Sequence, residues 1–191
     1  EALVKTLDYY FSNFDAIITK YGLEKIKTIG DAYMCAGGIP EPDEDHVVKI
    51  IEVAFEFIRF LSDSKSGMKE NITPFDVRIG LNTGPVVAGV VGTKKFAYDI
   101  WGDTVNTASR MESSGEAGKV NISGSTYELV RDFFICEYRG KMPVKYKGEI
   151  DMYKKIRNSF TLILGIVAIA LFQSVNADWT VDTEIPDDHE G

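Results

Sequence analysis

Apolar residues recur at spacings of three and four in two segments of the chain, which predicts two amphipathic helices. The first helix ends at Gly22, because glycine at this point is a common stop signal. The second begins near Asp43 or Asp45, either of which can cap it. The predicted core faces are Leu3, Leu7, Tyr10, Phe14, Ile17 and Tyr21 in the first helix, and Val47, Ile51, Ala54, Ile58 and Leu61 in the second.

The strands are predicted from alternation and from short apolar runs. Residues 25–29 and 32–36 form a tight hairpin around Gly30-Asp31. Residues 75–81 alternate as in a half-buried strand, and the apolar run 86–92 is typical of a central strand. Interleaved helices and strands predict an α+β fold with helices packed on a mixed sheet. The remaining predicted elements are strands at 96–101, 119–122, 133–138 and 143–147, and helices beginning at Asp103 and Ser123.

The C-terminal segment differs from the rest of the chain. Residues 160–172 carry no charge, bases precede them, and small residues and acids follow. That pattern resembles a secretory signal peptide, although it lies inside this sequence and not at its N-terminus. We therefore predict a main domain at 1–153, a hydrophobic segment at 154–177 and an acidic tail at 178–191.

Three interpretations of the hydrophobic segment stay open. It is a buried C-terminal helix, or it crosses a membrane through residues 156–175, close to the length of about 20 residues that a span needs. If it spans, the bases before it and the acids after it place the main domain in the cytoplasm. In the third interpretation Met152 begins a second, secreted protein, so that two reading frames are joined.

Composition and charge narrow the function classes. The chain has 191 residues, 45% of them apolar and 26% charged, which excludes disordered, collagen-like and coiled-coil proteins. A net charge of −8 without a basic patch excludes nucleic acid as an electrostatic partner. The two cysteines lie far apart and exclude a disulfide framework. With two histidines, the chain has little material for a Ser-His-Asp mechanism.

Taken singly, the polar motifs have ordinary structural explanations. Gly30-Asp31 is a common turn pair. Asn106 and Arg110 are four residues apart and share one helix face, which is most often solvated. Lys27 and Asp99 lie in strands, where such side chains usually face water. Only their combination is specific.

Three longer blocks resemble the signatures of class III nucleotide cyclases. They are EKIKTIGDAYM at 24–34, GPVVAGVVG at 84–92 and YDIWGDTVNTASRM at 98–111. Their order and spacing match that family over residues 3–153. The resemblance implies a ferredoxin-like α+β core.

The resemblance also implies a reaction. Family members cyclise a nucleoside triphosphate: the ribose 3′-hydroxyl attacks the α-phosphate and pyrophosphate leaves. Two Mg²⁺ or Mn²⁺ ions per site, held by two aspartates, assist the displacement. Asp31 matches the second aspartate. The first belongs to a strand upstream of this sequence, so we expect the domain to be truncated at its N-terminus and this fragment alone to be inactive.

Further site residues are carried over position by position. Asn106 matches the residue that orients the ribose, and Arg110 the one that stabilises charge developing at the α-phosphate. Lys145 matches the lysine that grips the terminal phosphates. Tyr146 stands where the family usually has glycine, which leaves Lys147 as an alternative for that role.

Lys27 and Asp99 match the two positions that select the base. A donor and an acceptor complement adenine, whereas guanylyl members carry Glu and Cys there. The resemblance therefore implies an adenylate cyclase that converts ATP to cyclic AMP for signalling, as a homodimer with two sites at its interface. The alternatives are a guanylate cyclase and an inactive cyclase-like domain that binds nucleotide or dimerises with an active partner.

Overall fold

The computed structural model describes residues 2–67, 72–92, 94, 96–144 and 148–158. The helices are α1 (Ala2–Tyr21), α2 (His46–Ser66), α3 (Asp103–Ser113) and α4 (Gly124–Val130). The strands are β1 (Glu24–Ile29), β2 (Ala32–Ala36), β3 (Ile79–Leu81), β4 (Val87–Val91), β5 (Ala97–Trp101), β6 (Val120–Ser123), β7 (Phe134–Val144) and β8 (Gly148–Asn158). Helices and strands are interleaved along the chain, as predicted.

The largest sheet has four strands in the order β3-β6-β8-β7. Strands β3 and β6 are parallel, whereas β8 is antiparallel to both of its neighbours. The pairs β1–β2 and β4–β5 form two antiparallel hairpins. The sheet is therefore mixed, which confirms the predicted α+β class.

Helix α2 contributes to both clusters of the hydrophobic core, because its apolar positions cover more than one stripe. In the first cluster, the rings of Phe14 and Phe57 stack with centroids 4.1 Å apart. The first cluster is Tyr10, Phe14, Ile18, Leu23, Val53, Phe57 and Leu61. The second cluster is Val47, Ile51, Ala54, Val120, Ile122, Val130 and Phe134.

Both predicted N-terminal helices are present, with differences in detail. In α1, Tyr10 and Phe14 are buried as predicted, but Leu3 is 68% exposed and Ile18 is buried instead. In α2, four of the five predicted core positions are buried, and Ile58 is only partly buried. Asp45 stands at the N-cap of α2 but makes no capping hydrogen bond with its side chain.

Two strand predictions differ from the structure. Strand β3 covers only the end of the predicted segment 75–81, because its register pairs Ile79–Leu81 with the short strand β6. The prediction of a central strand at 86–92 was wrong: within the described residues β4 pairs with β5 alone. Its valines are exposed rather than buried, namely Val87, Val90 and Val91.

The C-terminal strands differ from the prediction: β7 continues past the predicted end at 138 to Val144, and β8 (Gly148–Asn158) lies outside the strand predicted at 143–147. Strands β7 and β8 have 11 residues each, and β8 ends at Asn158, beyond the predicted domain end at 153. Residues 145–147 and 159–191 lie outside the described residues, so the predictions for the hydrophobic segment and the acidic tail stay predictions. None of the helices that the structure describes is long and apolar enough to cross a membrane.

Candidate active site

Asp31 lies at the tip of the β1–β2 hairpin, exposed to solvent. Gly30 beside it has φ of 62°, a left-handed conformation that glycine adopts without strain and that closes the tight turn. A carboxylate held at such a turn is a hard oxygen ligand of the kind Mg²⁺ prefers.

The described residues contain no group of three or more His, Cys, Asp or Glu that could hold a metal ion by itself. Magnesium is commonly bound by one or two carboxylates, with water and substrate phosphates supplying the other ligands. Asp31 fits that pattern as one carboxylate ligand, not as part of a preformed cage.

Lys27 and Asp99 are in direct contact, although they are 72 residues apart in sequence. Lys27 Nζ on β1 donates a hydrogen bond to Asp99 Oδ2 on β5 over 2.5 Å. The side chain of Asp99 is 17% exposed and that of Lys27 is 41% exposed. The two strands therefore bring one strong donor and one strong acceptor to the same half-buried place.

The charge state of this pair follows from its contacts. The hydrogen bond from Lys27 lowers the pKa of the Asp99 carboxyl from its ordinary value, and burial opposes this only in part. A second hydrogen bond, from the backbone N–H of Ile100 to Asp99 Oδ1 over 2.8 Å, acts in the same direction as Lys27. Asp99 is therefore ionised at neutral pH and serves as an acceptor only.

Helix α3 presents Asn106 and Arg110 to solvent on one face. The opposite face is buried through Thr107 and Met111. Within the described residues neither Asn106 nor Arg110 uses its side chain in a hydrogen bond or ion pair. Both side chains are accessible from solvent.

The position of α3 depends on Gly80 in β3. A Cβ built at Gly80 would lie 1.9 Å from the backbone N of Glu112 and 2.6 Å from the carbonyl oxygen of Ala108. Only glycine allows the strand and the helix backbone to approach so closely.

Two asparagines hold the ends of α3. Asn82 Nδ2 donates to the carbonyl oxygen of Thr104 over 3.0 Å, near the start of the helix. Buried Asn121 Nδ2 donates to the carbonyl oxygen of Met111 over 2.8 Å, near its end. Arg139 in turn donates to Asn121 Oδ1 over 2.9 Å, which fixes the orientation of the amide. Sequence analysis identified none of these supports.

The structure thus brings together one pair of the predicted site residues, the two that were predicted to select the base. Lys27 contacts Asp99, whereas Asp31, Asn106 and Arg110 form no hydrogen bond or ion pair with that pair among the described residues. Lys145 lies outside the described residues, so its predicted role stays a prediction.

Comparison with known proteins identifies the family. The model of the adenylate and guanylate cyclase catalytic domain matches residues 1–156. The chain belongs to this cyclase family. An adenylate cyclase of Mycobacterium tuberculosis is 43% identical over 146 residues, which are 76% of this chain and 32% of the relative. The cyclase chain therefore spans about a third of the length of the curated relatives it matches first.

Two solved structures of cyclase domains resemble this chain over most of its length. The catalytic core of a rhodopsin–guanylyl cyclase with converted specificity, in complex with ATPαS, is 40% identical with a TM-score of 0.73, covering 80% of this chain and 81% of that one. The guanylate cyclase domain from Catenaria anguillulae, in complex with GTP, is 38% identical with a TM-score of 0.75, covering 82% and 84%. These neighbours confirm the nucleotide cyclase fold expected from the sequence.

Proposed function

We propose that this chain is the catalytic part of an adenylate cyclase, which converts ATP to 3′,5′-cyclic AMP and pyrophosphate. The contact between Lys27 and Asp99 is the observation that carries this proposal. Adenine offers an acceptor at N1 and a donor at its 6-amino group, which match the ammonium and the carboxylate. Guanine reverses both groups, so it would set O6 against Asp99 and N1–H against Lys27, leaving buried polar groups unpaired.

Overall similarity cannot distinguish the two bases, because the neighbours complexed with ATPαS and with GTP are 40% and 38% identical. The assignment therefore depends on residues 27 and 99. The neighbour with converted specificity, in complex with ATPαS, supports the idea that base choice can change while the fold stays the same.

The proposed roles of the other residues follow from their chemistry. Asn106 orients the ribose, and the Arg110 guanidinium donates to the α-phosphate oxygens as negative charge builds on them. The 3′-hydroxyl gives its proton to water and its oxygen bonds to the α-phosphorus. At the same time the bond from the α-phosphorus to the oxygen that bridges to the β-phosphorus breaks, and pyrophosphate leaves with that oxygen. When bound, Mg²⁺ or Mn²⁺ at Asp31 would favour ionisation of the hydroxyl and neutralise the triphosphate. Lys145 is proposed to hold the terminal phosphates.

We further propose that two copies form a dimer with two sites at the interface. The β4–β5 hairpin, which carries Asp99, exposes several large apolar side chains, and exposed apolar residues grouped on one element often mark a protein contact. A second copy would cover these side chains and bring Asp31 of one chain to the base and ribose residues of the other. The exposed residues are Val87, Val90, Val91, Phe96 and Trp101.

Exchange of the base-selecting pair tests the proposal. Lys27→Glu combined with Asp99→Cys should lower the ratio of kcat/KM for ATP to that for GTP by at least about 100-fold, because the wrong pattern of donors leaves polar groups unpaired. Lys49→Glu with Asp43→Cys is the matched control: that ion pair is 2.7 Å long, with side chains 35% and 25% exposed, and lies outside the site. Its ratio should not change.

The two alternatives give different results in the same assays. A guanylate cyclase would prefer GTP before any substitution. A non-catalytic domain would bind nucleotide without forming cyclic product in the full-length protein. A ratio that changes equally in both variants would contradict the roles of Lys27 and Asp99.

A further inference from the structure

Asp15 on α1 contacts both strands of the hairpin that carries Lys27 and Asp31. Its Oδ1 accepts a hydrogen bond from the Tyr33 hydroxyl on β2 over 2.6 Å. Its Oδ2 accepts one from Lys25 Nζ on β1 over 2.8 Å. Each carboxylate oxygen therefore accepts a hydrogen bond from a different strand, and the Asp15 side chain links both strands of the hairpin to α1.

The Tyr33 contact is built into the core. The ring of Tyr33 packs against Phe11 and Phe14, with centroid distances of 5.5 Å to each, and against Phe57 at 6.0 Å. Burial raises the pKa of the Tyr33 hydroxyl well above its ordinary value, and the hydrogen bond to Asp15 adds to this effect. The hydroxyl therefore stays protonated and remains a donor to Asp15 throughout the physiological pH range.

The two anchored residues are close neighbours of the proposed site residues. Lys25 precedes Lys27 by two positions, and Tyr33 follows Asp31 by two. The β1–β2 register shifts between Lys25 and Lys27, as in a β-bulge. Such a bulge redirects the side chains that follow it, so the direction of Lys27 depends on how the strand is held at this point.

We propose that Asp15 is a positioning residue for the cyclase reaction. It fixes the hairpin that supplies Lys27 for base recognition and Asp31 for metal binding. The inference rests on the proposed function of those two residues. Because both belong to one hairpin, loss of the Asp15 contacts alters base selection and metal dependence together, and misplacement by about 1 Å is enough to reduce turnover greatly.

Glu56 provides a matched control with the same chemistry at a different place. It accepts a hydrogen bond from the Tyr21 hydroxyl over 2.8 Å and one from Lys20 Nζ over 3.1 Å. These contacts join α1 to α2 and do not involve the hairpin. Glu56→Gln removes the same charge as Asp15→Asn, and both variants keep an amide oxygen as acceptor for the tyrosine.

The kinetic test uses both variants in the full-length protein. In Asp15→Asn, kcat/KM for ATP should fall about tenfold or more, and the ATP-to-GTP ratio should fall with it. The Mg²⁺ concentration for half-maximal rate should rise severalfold. Tyr33→Phe, which removes one of the two contacts, should change all three quantities in the same direction as Asp15→Asn does. In Glu56→Gln all three should stay at the values of the unsubstituted protein.

A second measurement does not depend on activity. Backbone amides of residues 28–34 should exchange hydrogen faster in Asp15→Asn than in Glu56→Gln, since only the first variant frees the hairpin. Equal exchange in the two variants, or a kinetic effect of Glu56→Gln as large as that of Asp15→Asn, would overturn the proposal. A preference of the unsubstituted protein for GTP would instead contradict the proposed function, while leaving the exchange difference in place.

Discussion

Arg110→Ala is expected to lower the turnover of the full-length protein about 10²- to 10³-fold, with a much smaller change in KM. Arg110 is exposed on α3, and its guanidinium has no ion pair within the described part of the chain. Its donors are proposed to meet the α-phosphate, where negative charge increases as the 3′-oxygen attacks. An interaction that strengthens in the transition state affects kcat more than ground-state binding.

Steady-state rates with ATP measure the effect, and Arg131→Ala is the control. Arg131 is also an exposed arginine at the end of a helix, where it pairs with Glu128 over 2.6 Å. It lies outside the proposed site, so its removal should leave kcat and KM unchanged. If Arg110→Ala raises KM and leaves kcat intact, Arg110 binds the ground state only.

Arg110→Ala, combined with Asp31→Asn in separate chains, also tests the proposed dimer. Asp31→Asn and Arg110→Ala each damage both sites of a homodimer, but a mixed dimer has one site in which both residues are intact. Random mixing makes half of the dimers mixed, so activity should recover to about a quarter of the original value. No recovery after subunit exchange would contradict a site shared between two chains.

Gly80→Ala is expected to destabilise the domain by about 3 kcal/mol, at the upper end for adding a methyl group to a packed core. The added Cβ would lie 1.9 Å from the backbone N of Glu112, and backbone cannot rotate away as a flexible side chain can. Helix α3 would have to move, taking Asn106 and Arg110 with it. We therefore expect a loss of turnover together with a lower melting temperature.

Thermal unfolding and cyclase rates check this prediction side by side. Gly67→Ala is the control, because its nearest neighbouring atom to a new Cβ is the Asp63 carbonyl oxygen at 3.7 Å, an ordinary contact. That variant should keep both the melting temperature and the activity. Equal stability of the Gly80 and Gly67 variants would mean that β3 and α3 are less closely packed than described.

Local patterns predicted the elements of the site better than their assembly. The β1–β2 hairpin follows from β-prone residues around Gly30-Asp31, and the structure confirms it. The contact of Lys27 with Asp99 joins residues 72 positions apart, so no local pattern could reveal it. Resemblance to the cyclases singled out both positions, and the structure shows that they meet.

The apolar run at 86–92 shows a limit of hydrophobic patterns. Hydrophobicity indicates that a surface prefers to be covered, but not by what. In the described chain β4 lies in a two-stranded hairpin with its valines exposed, whereas the pattern indicated a central strand. A surface that is covered by a second chain has the same sequence signature as one covered within the same chain.

The residues that position the site are harder to recognise in the sequence than the site residues themselves. Gly80 lies in the segment 75–81, whose alternation predicts only a half-buried strand, although an isolated glycine in a strand can also mark a close backbone approach. Asp15 stood among the polar positions of an amphipathic helix, where its contacts with Lys25 and Tyr33 could not be seen. Such roles depend on the packing of separate elements.

The choice of base is tested most directly by offering the full-length protein equal concentrations of ATP and GTP with Mg²⁺. The ratio of cyclic AMP to cyclic GMP then equals the ratio of the two kcat/KM values. If Lys27 and Asp99 bind the adenine edge, cyclic AMP should exceed cyclic GMP by at least about 100-fold. A product that is mainly cyclic GMP would contradict the assignment of these two residues, and with it the proposal that the chain is an adenylate cyclase.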